Sequence, residues 1–242
     1  MSLVIENVSK QYKGYNSKKF YALNSINLTM TSGTCLALIG QNGAGKTTLI
    51  KSILGLIQFE GSITIDDGKI SEIIGKNQLG YMPEIVENLG SITGREYIES
   101  LMALRGIKPV EYKEELNKLT KRLAVEKYLD IPLEHCSKGN YKKILFIQAI
   151  LHQPGLLVLD EPTDGLDPIS RRTMLEIINE YKDRGCYVIV TTHLLSDIER
   201  IADLVAIINE GTVLKTVEKT KLSDSIEDWY IKLLQDYGEK YD

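Results

Sequence analysis

Short apolar runs separated by turn residues occupy the start and the last third of the chain, while apolar residues at helical spacing fill the middle. Alternation over residues 3–8 and 26–30 predicts strands, and Ser62-Ile63-Thr64-Ile65 predicts another that ends at the turn signal Asp66-Asp67-Gly68. Cys35-Leu36-Ala37-Leu38-Ile39 is apolar throughout, the mark of a strand covered on both faces. From Thr93 the period changes. Thr93-Gly94-Arg95-Glu96 fits a capping box, and Ile98, Leu101, Met102 and Arg105 continue it at helical spacing. Tyr112, Leu116, Leu119 and Leu123 then form one apolar stripe on a helix whose Lys113, Glu114, Glu115, Lys118, Lys121 and Arg122 make a solvated face.

A buried strand returns at Leu156-Leu157-Val158-Leu159, followed by a helix over residues 168–184 and strands over 186–191 and 204–208. Asn209-Glu210-Gly211 predicts a hairpin turn into residues 212–217. Strands alternating with helices argue for a mostly parallel sheet, with residues from about 85 to 151 as a mostly helical insertion. Ile226, Trp229, Tyr230, Leu233 and Leu234 fall on one face of a final amphipathic helix, expected to pack on its own domain. The expected division is therefore a domain over residues 1–220 and a C-terminal helix over 221–242.

Composition narrows the class. At 242 residues, 43% hydrophobic and 26% charged, the chain can bury a full core as one large domain or a domain with a subdomain. A net charge of −4, with Lys and Arg interspersed among Asp and Glu, gives no basic surface for nucleic acid. Cys35, Cys136 and Cys186 have neither C-x-x-C spacing nor a cluster of His, so thiols in a reducing cytosol are expected. Met1-Ser2-Leu3-Val4-Ile5-Glu6 lacks the basic region and apolar core of a signal peptide, and no apolar run approaches the about 18 residues of a membrane span. Work at a membrane would need another chain to hold the protein there.

The sharpest chemical signal follows the apolar run at residues 35–39. Gly40-Gln41-Asn42-Gly43-Ala44-Gly45-Lys46-Thr47 fits G-x-x-x-x-G-K-[ST] at every fixed position. A chain closing around a triphosphate must present several backbone N–H groups in a tight concave turn, and Gly40, Gly43 and Gly45 remove the Cβ atoms that would block it. Lys46 can reach the β- and γ-phosphates and the Thr47 hydroxyl can ligate Mg²⁺, with Asn42, Ala44 and Thr48 completing the cradle at the start of a helix read over residues 47–56. Far along the chain, Leu156-Leu157-Val158-Leu159-Asp160-Glu161 is a buried strand ending in two acids. Asp160 can hold Mg²⁺, and Glu161 can orient or deprotonate the attacking water.

Taken in order, the P-loop, Cys136-Ser137-Lys138-Gly139-Asn140, the strand ending in Asp160-Glu161, Asp164-Gly165-Leu166-Asp167 and Thr192-His193 resemble the nucleotide-binding subunit of ATP-binding-cassette (ABC) transporters over nearly the whole chain. The resemblance implies an α/β fold, a P-loop NTPase of ABC type: a mostly parallel central sheet with an antiparallel β subdomain and an inserted helical subdomain. It implies that Ser137 and Gly139 belong to the signature that meets the ATP of a second subunit, and that Asp167 lies in the D-loop at the dimer interface. His193 becomes the switch histidine, Glu84 stands at the Q-loop position near Mg²⁺, and Tyr12 stacks on adenine, with Tyr15 as the alternative. The signature departs from the family's Leu-Ser-Gly-Gly-Gln at Cys136, Lys138 and Asn140, and Glu84 replaces the usual Gln.

The function so implied is an ATPase subunit, cytoplasmic and peripheral on the inner face of the cell membrane. It would work as a dimer with itself or a homologous subunit, using ATP and Mg²⁺ to drive a separate integral-membrane permease. The Ser-Lys-Gly signature and Tyr81-Met82-Pro83-Glu84 look most like the branch that exports drugs, antibiotics or bacteriocins. The alternative is a soluble ABC ATPase of an assembly complex, such as iron–sulfur cluster assembly.

Overall fold

The computed structural model describes residues 1–13, 19–66, 68–75, 78–86 and 90–238. Its N-terminal strands β1 (Ser2–Lys13) and β2 (Lys19–Thr31) are long antiparallel arms, followed by β3 (Cys35–Ile39) and helix α1 (Lys46–Ile53). β4 (Glu60–Ile65) and the short β5 (Gly68–Lys69) complete a four-stranded antiparallel sheet of order β2-β1-β4-β5, and α2 (Ile70–Gly75) leads to β6 (Leu79–Met82). Helices α3 (Gly94–Leu104), α4 (Pro109–Arg122) and α5 (Lys138–Ile150) lie between β6 and β7 (Leu156–Asp160). The chain then alternates α6 (Pro168–Asp183), β8 (Tyr187–Thr191), α7 (Leu195–Ile201) and β9 (Leu204–Asn209), and closes with β10 (Thr212–Glu218) and α8 (Ile226–Gly238).

The second sheet has order β10-β9-β3-β8-β7-β6 and is parallel except for β10. Every residue of β3, β7 and β8 is buried, as a strand covered on both faces requires. Because side chains alternate along a strand, the sheet feeds two cores. Leu36, Leu38, Leu156, Val158 and Ile189 pack with α1 and the antiparallel sheet on one face, and Cys35, Ala37, Ile39, Leu157, Val188 and Val190 pack with α5 and α6 on the other. α5 is the central helix of that second core: from Lys142 to Ile150 every residue is buried. A helix buried on every side belongs in an interior, and here Lys142, Lys143 and Gln148 are buried with its apolar residues.

Local signals explain most boundaries. Thr93 caps α3 in a reciprocal box with Glu96, and Pro109 opens α4. Glu210 and Gly211 both take positive φ, 46° and 75°, which suits the two-residue turn between β9 and β10. Ile226 and Leu233 of α8 are buried, and Tyr237 Oη donates to Leu214 O at 3.3 Å. Residues 239–242 lie outside the described residues.

Several elements differ from the sequence expectation. β1 and β2 extend well beyond the apolar alternation, because backbone pairing at register pairs such as Gln11↔Tyr21 and Lys13↔Lys19 holds the arms extended where no apolar period runs. The edge strand β6 is too short to show a period of two. α7 is likewise only seven residues long and carries Asp197, buried against Thr163 and Arg171, on its inner face.

Candidate active site

The C-terminal end of β3 lies inside the parallel sheet, with β9 on one side and β8 on the other. From there the chain turns through residues 40–45 into α1, and two glycines allow the turn. A Cβ on Gly40 would stand 2.2 Å from Ile208 O, and Gly45, at φ +112°, would place one 2.6 Å from Ala22 O. The loop is therefore seated against the backbone of β2 and β9, with Ala44 buried beneath it and its carbonyl accepting from Gly211 N at 2.9 Å. Lys46 Nζ folds back on the loop, donating to Gly40 O at 2.6 Å and Gln41 O at 3.1 Å. Burial pulls the Lys46 ammonium below the usual lysine range, and the carboxylates of Glu161, Asp160 and Glu84 oppose that shift. Those three acids and Lys46 line one cleft of about 680 Å³ with Asn42, Gly43, Gly45, Thr47 and Thr48.

Two neighbouring strands supply the opposite pole. Asp160 ends β7 and accepts at Oδ1 from the Thr191 hydroxyl of β8. Glu161 leaves the strand at φ +49°, a left-handed conformation that costs a non-glycine residue on the order of 1 kcal/mol. Its N–H donates to Thr191 O at 3.0 Å and to the Thr191 hydroxyl at 3.2 Å, while its carbonyl accepts from Lys142 Nζ. The Glu161 carboxylate then meets His193, 2.9 Å from Nδ1 and 3.3 Å from the backbone N. Both side chains line the cleft.

The wall formed by the β1–β2 arms is aromatic. Tyr12 and Phe20 are directly paired across the ladder, with ring centroids 6.1 Å apart and planes tilted by 36°, and Lys10 Nζ lies 5.3 Å from the Tyr12 centroid. Phe20 and Tyr21, 52% and 49% exposed, line the cleft beside Tyr12. The sequence points to Tyr12, with Tyr15 as the alternative, and not to Phe20 or Tyr21. The pairing of Tyr12 with Phe20 comes from hairpin register, which an apolar-alternation reading ending at residue 8 does not contain. Tyr15 falls outside the described residues.

Three sequence candidates stand elsewhere. Ser137, Gly139 and Asp167 do not line the cleft. Ser137 caps α5, its Oγ accepting from Asn140 N at 3.3 Å, and Asp167 caps α6 by accepting from Ile169 N at 3.1 Å and Ser170 N at 3.0 Å. Gly139 faces Gly165, so that an added Cβ would come within 3.2 Å of Gly165 O, and Lys138 pairs with Asp164 at 2.5 Å. The start of α5 and the loop after β7 are thus one packed unit beside the cleft.

Residues 23–164 match the ABC transporter family. The chain belongs to that family. It is 33% identical to the ABC transporter ATP-binding protein YhaQ of Bacillus subtilis over 223 residues, 92% of this chain and 72% of YhaQ. It is 30% identical to the lantibiotic transport ATP-binding protein SrtF of Streptococcus pyogenes, over 88% of this chain and 89% of SrtF. A solved ATP-binding subunit of an ABC transporter superposes with a TM-score of 0.85 at 29% identity, over 97% of this chain and 100% of that subunit. The ABC-type P-loop NTPase fold expected from the motif order is the fold observed, and the chain is an ABC transporter ATP-binding protein, an ATPase of that family. Among the described residues, no helix of this ABC protein is long and apolar enough to cross a membrane.

Proposed function

We propose that this ABC ATPase hydrolyses Mg-ATP in two composite sites formed by a dimer, and that the resulting opening and closing drives export through a separate membrane permease. One observation carries the reading. A single chain brings Lys46, Thr47, Asp160, Glu161 and His193 to one cleft and leaves Ser137 and Gly139 outside it. The N-terminal end of α5, a helix of 13 residues, presents backbone N–H groups and a positive dipole end suited to a phosphate, and a second chain can supply it.

In this reading Lys46 holds the β- and γ-phosphates, and Tyr12 with Phe20 and Tyr21 takes the base. Thr47, Asp160 and Glu84 offer hydroxyl and carboxylate oxygens, the hard donor set that suits Mg²⁺, with substrate phosphates completing the shell. When bound, the ion supplies positive charge to the phosphate oxygens. Glu161 orients the attacking water and accepts its proton, while His193 holds the carboxylate at its 2.9 Å contact and reaches toward the γ-phosphate. Asp167, at the start of α6, faces the second chain.

Export is supported by the likeness to SrtF, whose name gives lantibiotic transport. The protein is then cytoplasmic and peripheral on the inner face of the cell membrane, where Glu84 and the segment to residue 92 meet the permease. Residues 87–89 of that segment lie outside the described residues.

A complementation assay tests the composite site. Lys46→Ala and Ser137→Arg proteins, each inactive alone, should regain a substantial share of wild-type ATPase when mixed, because one site of the mixed dimer is then intact. Rates that stay at the sum of the two inactive proteins would end the two-chain reading. Export itself is tested by co-expressing the chain with a candidate integral-membrane permease and following ATP-dependent efflux in vesicles, where no ATP-dependent efflux would count against it.

A further inference from the structure

Lys142 is among the largest fully buried side chains of the protein, with 1% of its side chain exposed. An ammonium removed from water is strongly unfavourable unless it is paired and hydrogen-bonded, and an unbranched apolar side chain would fill the same space without that penalty. Two groups receive the Lys142 charge. Its Nζ donates to the backbone carbonyl of Glu161 and lies 4.0 Å from Asp164 Oδ2, the same oxygen that pairs with Lys138 one helical turn earlier.

The carbonyl it meets belongs to a strained stretch of the site's backbone. Glu161 adopts φ +49°, and it precedes Pro162, whose ring pushes the preceding residue toward extended conformations. Pro162 also offers no N–H to stabilise the turn. The conformation is held from both sides: Thr191 receives the Glu161 N–H, and Lys142 donates to the Glu161 carbonyl. Without the second contact, that carbonyl loses its charged donor, and relaxation toward an extended backbone would swing the carboxylate away from His193.

We propose that Lys142 is a positioning residue for Glu161, a donor on the signature helix that holds the base in its left-handed conformation. The inference rests on the reading of Glu161 as the base. It also ties α5, the helix capped by Ser137, to the hydrolytic carboxylate of the same chain.

Lys142→Met keeps the stem and volume but removes the donor. It should lower kcat by about 10- to 100-fold and leave KM for ATP within about threefold. Lys142→Gln, whose amide can still donate, should lose only about three- to tenfold in kcat. The deciding measurement is a double-mutant cycle in single turnover. In the Glu161→Gln background, Lys142→Met should change the residual rate by less than about twofold, because a residue acting only through Glu161 has nothing left to position. Wild-type kcat in Lys142→Met, or an equal fractional loss in the wild-type and Glu161→Gln backgrounds, overturns the proposal. If Lys142→Met does not fold, Lys142→Gln goes through the same cycle under the same criteria. Full activity in Glu161→Gln alone would instead overturn the assignment of the base, which separates the two failures.

Discussion

His193 Nδ1 lies 2.9 Å from Glu161 Oε2, so the ends of two neighbouring parallel strands, β8 and β7, meet at one carboxylate. The contact orients the carboxylate proposed as the base, which the backbone has already turned toward the cleft. Glu161→Gln keeps the shape and removes the base, and it should lower ATP turnover by about 10²- to 10⁴-fold while nucleotide affinity changes little. Steady-state ATPase assays with a fluorescent-nucleotide titration check both halves, and sizing with Mg-ATP should show the variant accumulating as a dimer. His193→Ala should cost less, about 10- to 100-fold in kcat, since the carboxylate itself survives.

The aromatic wall predicts a shared platform for the base. Tyr12→Ala and Phe20→Ala should each weaken ATP binding by about 5- to 100-fold, the range expected when a base loses an aromatic partner. Neither should alter affinity for inorganic triphosphate, which has no base. Parallel titrations of the two ligands check this, and Tyr21→Ala measured beside them ranks the three rings.

Glu84 lines the cleft from the loop after β6, and its carboxylate is one of those that act on Lys46. Glu84→Gln keeps a terminal oxygen and should retain ATPase activity within about tenfold, while Glu84→Ala should lose more and require a higher Mg²⁺ concentration. ATPase rates across a Mg²⁺ titration decide. Wild-type rate and Mg²⁺ dependence in Glu84→Ala would remove Glu84 from the site.

His152, in the turn just after α5, predicts acid sensitivity. Burial, reinforced by the Arg105 guanidinium, pushes its pKa down to about 4, while one ring nitrogen sits 3.0 Å from Leu79 O. The unfolded chain takes up the proton near 6.5 and the native state only near 4, so this contribution is complete above 6.5 and is lost as pH falls through that window. The loss is on the order of 3 kcal/mol at most. Urea unfolding of His152→Gln should show a flatter decline than wild type between about pH 6.5 and about pH 4.5.

Much of the fold is legible locally. The short apolar runs at residues 35–39 and 156–159, four to five residues long and ending at a glycine loop or paired acids, read as strands covered on both faces, and each meets its motif in the next few residues. The Thr93 box and Pro109 mark helix starts by chemistry that acts within four residues. β6 and α7 escape because a four-residue edge strand and a seven-residue helix are too short to show a period, and they exist through what packs on them.

By itself the sequence determined the contiguous chemistry: the phosphate loop at residues 40–47, the acids Asp160 and Glu161, the caps Ser137 and Asp167, and the motif order that identifies the ABC family. Each depends on neighbours along the chain, where spacing is set by covalent geometry. The tertiary structure alone decided which distant residues share a site. Hairpin register put Phe20 opposite Tyr12, strand adjacency put Thr191 and His193 on the two acids, and helix packing buried the ammonium of Lys142 against the Glu161 carbonyl. No local period encodes these meetings, because register and packing are chosen by how the whole core closes.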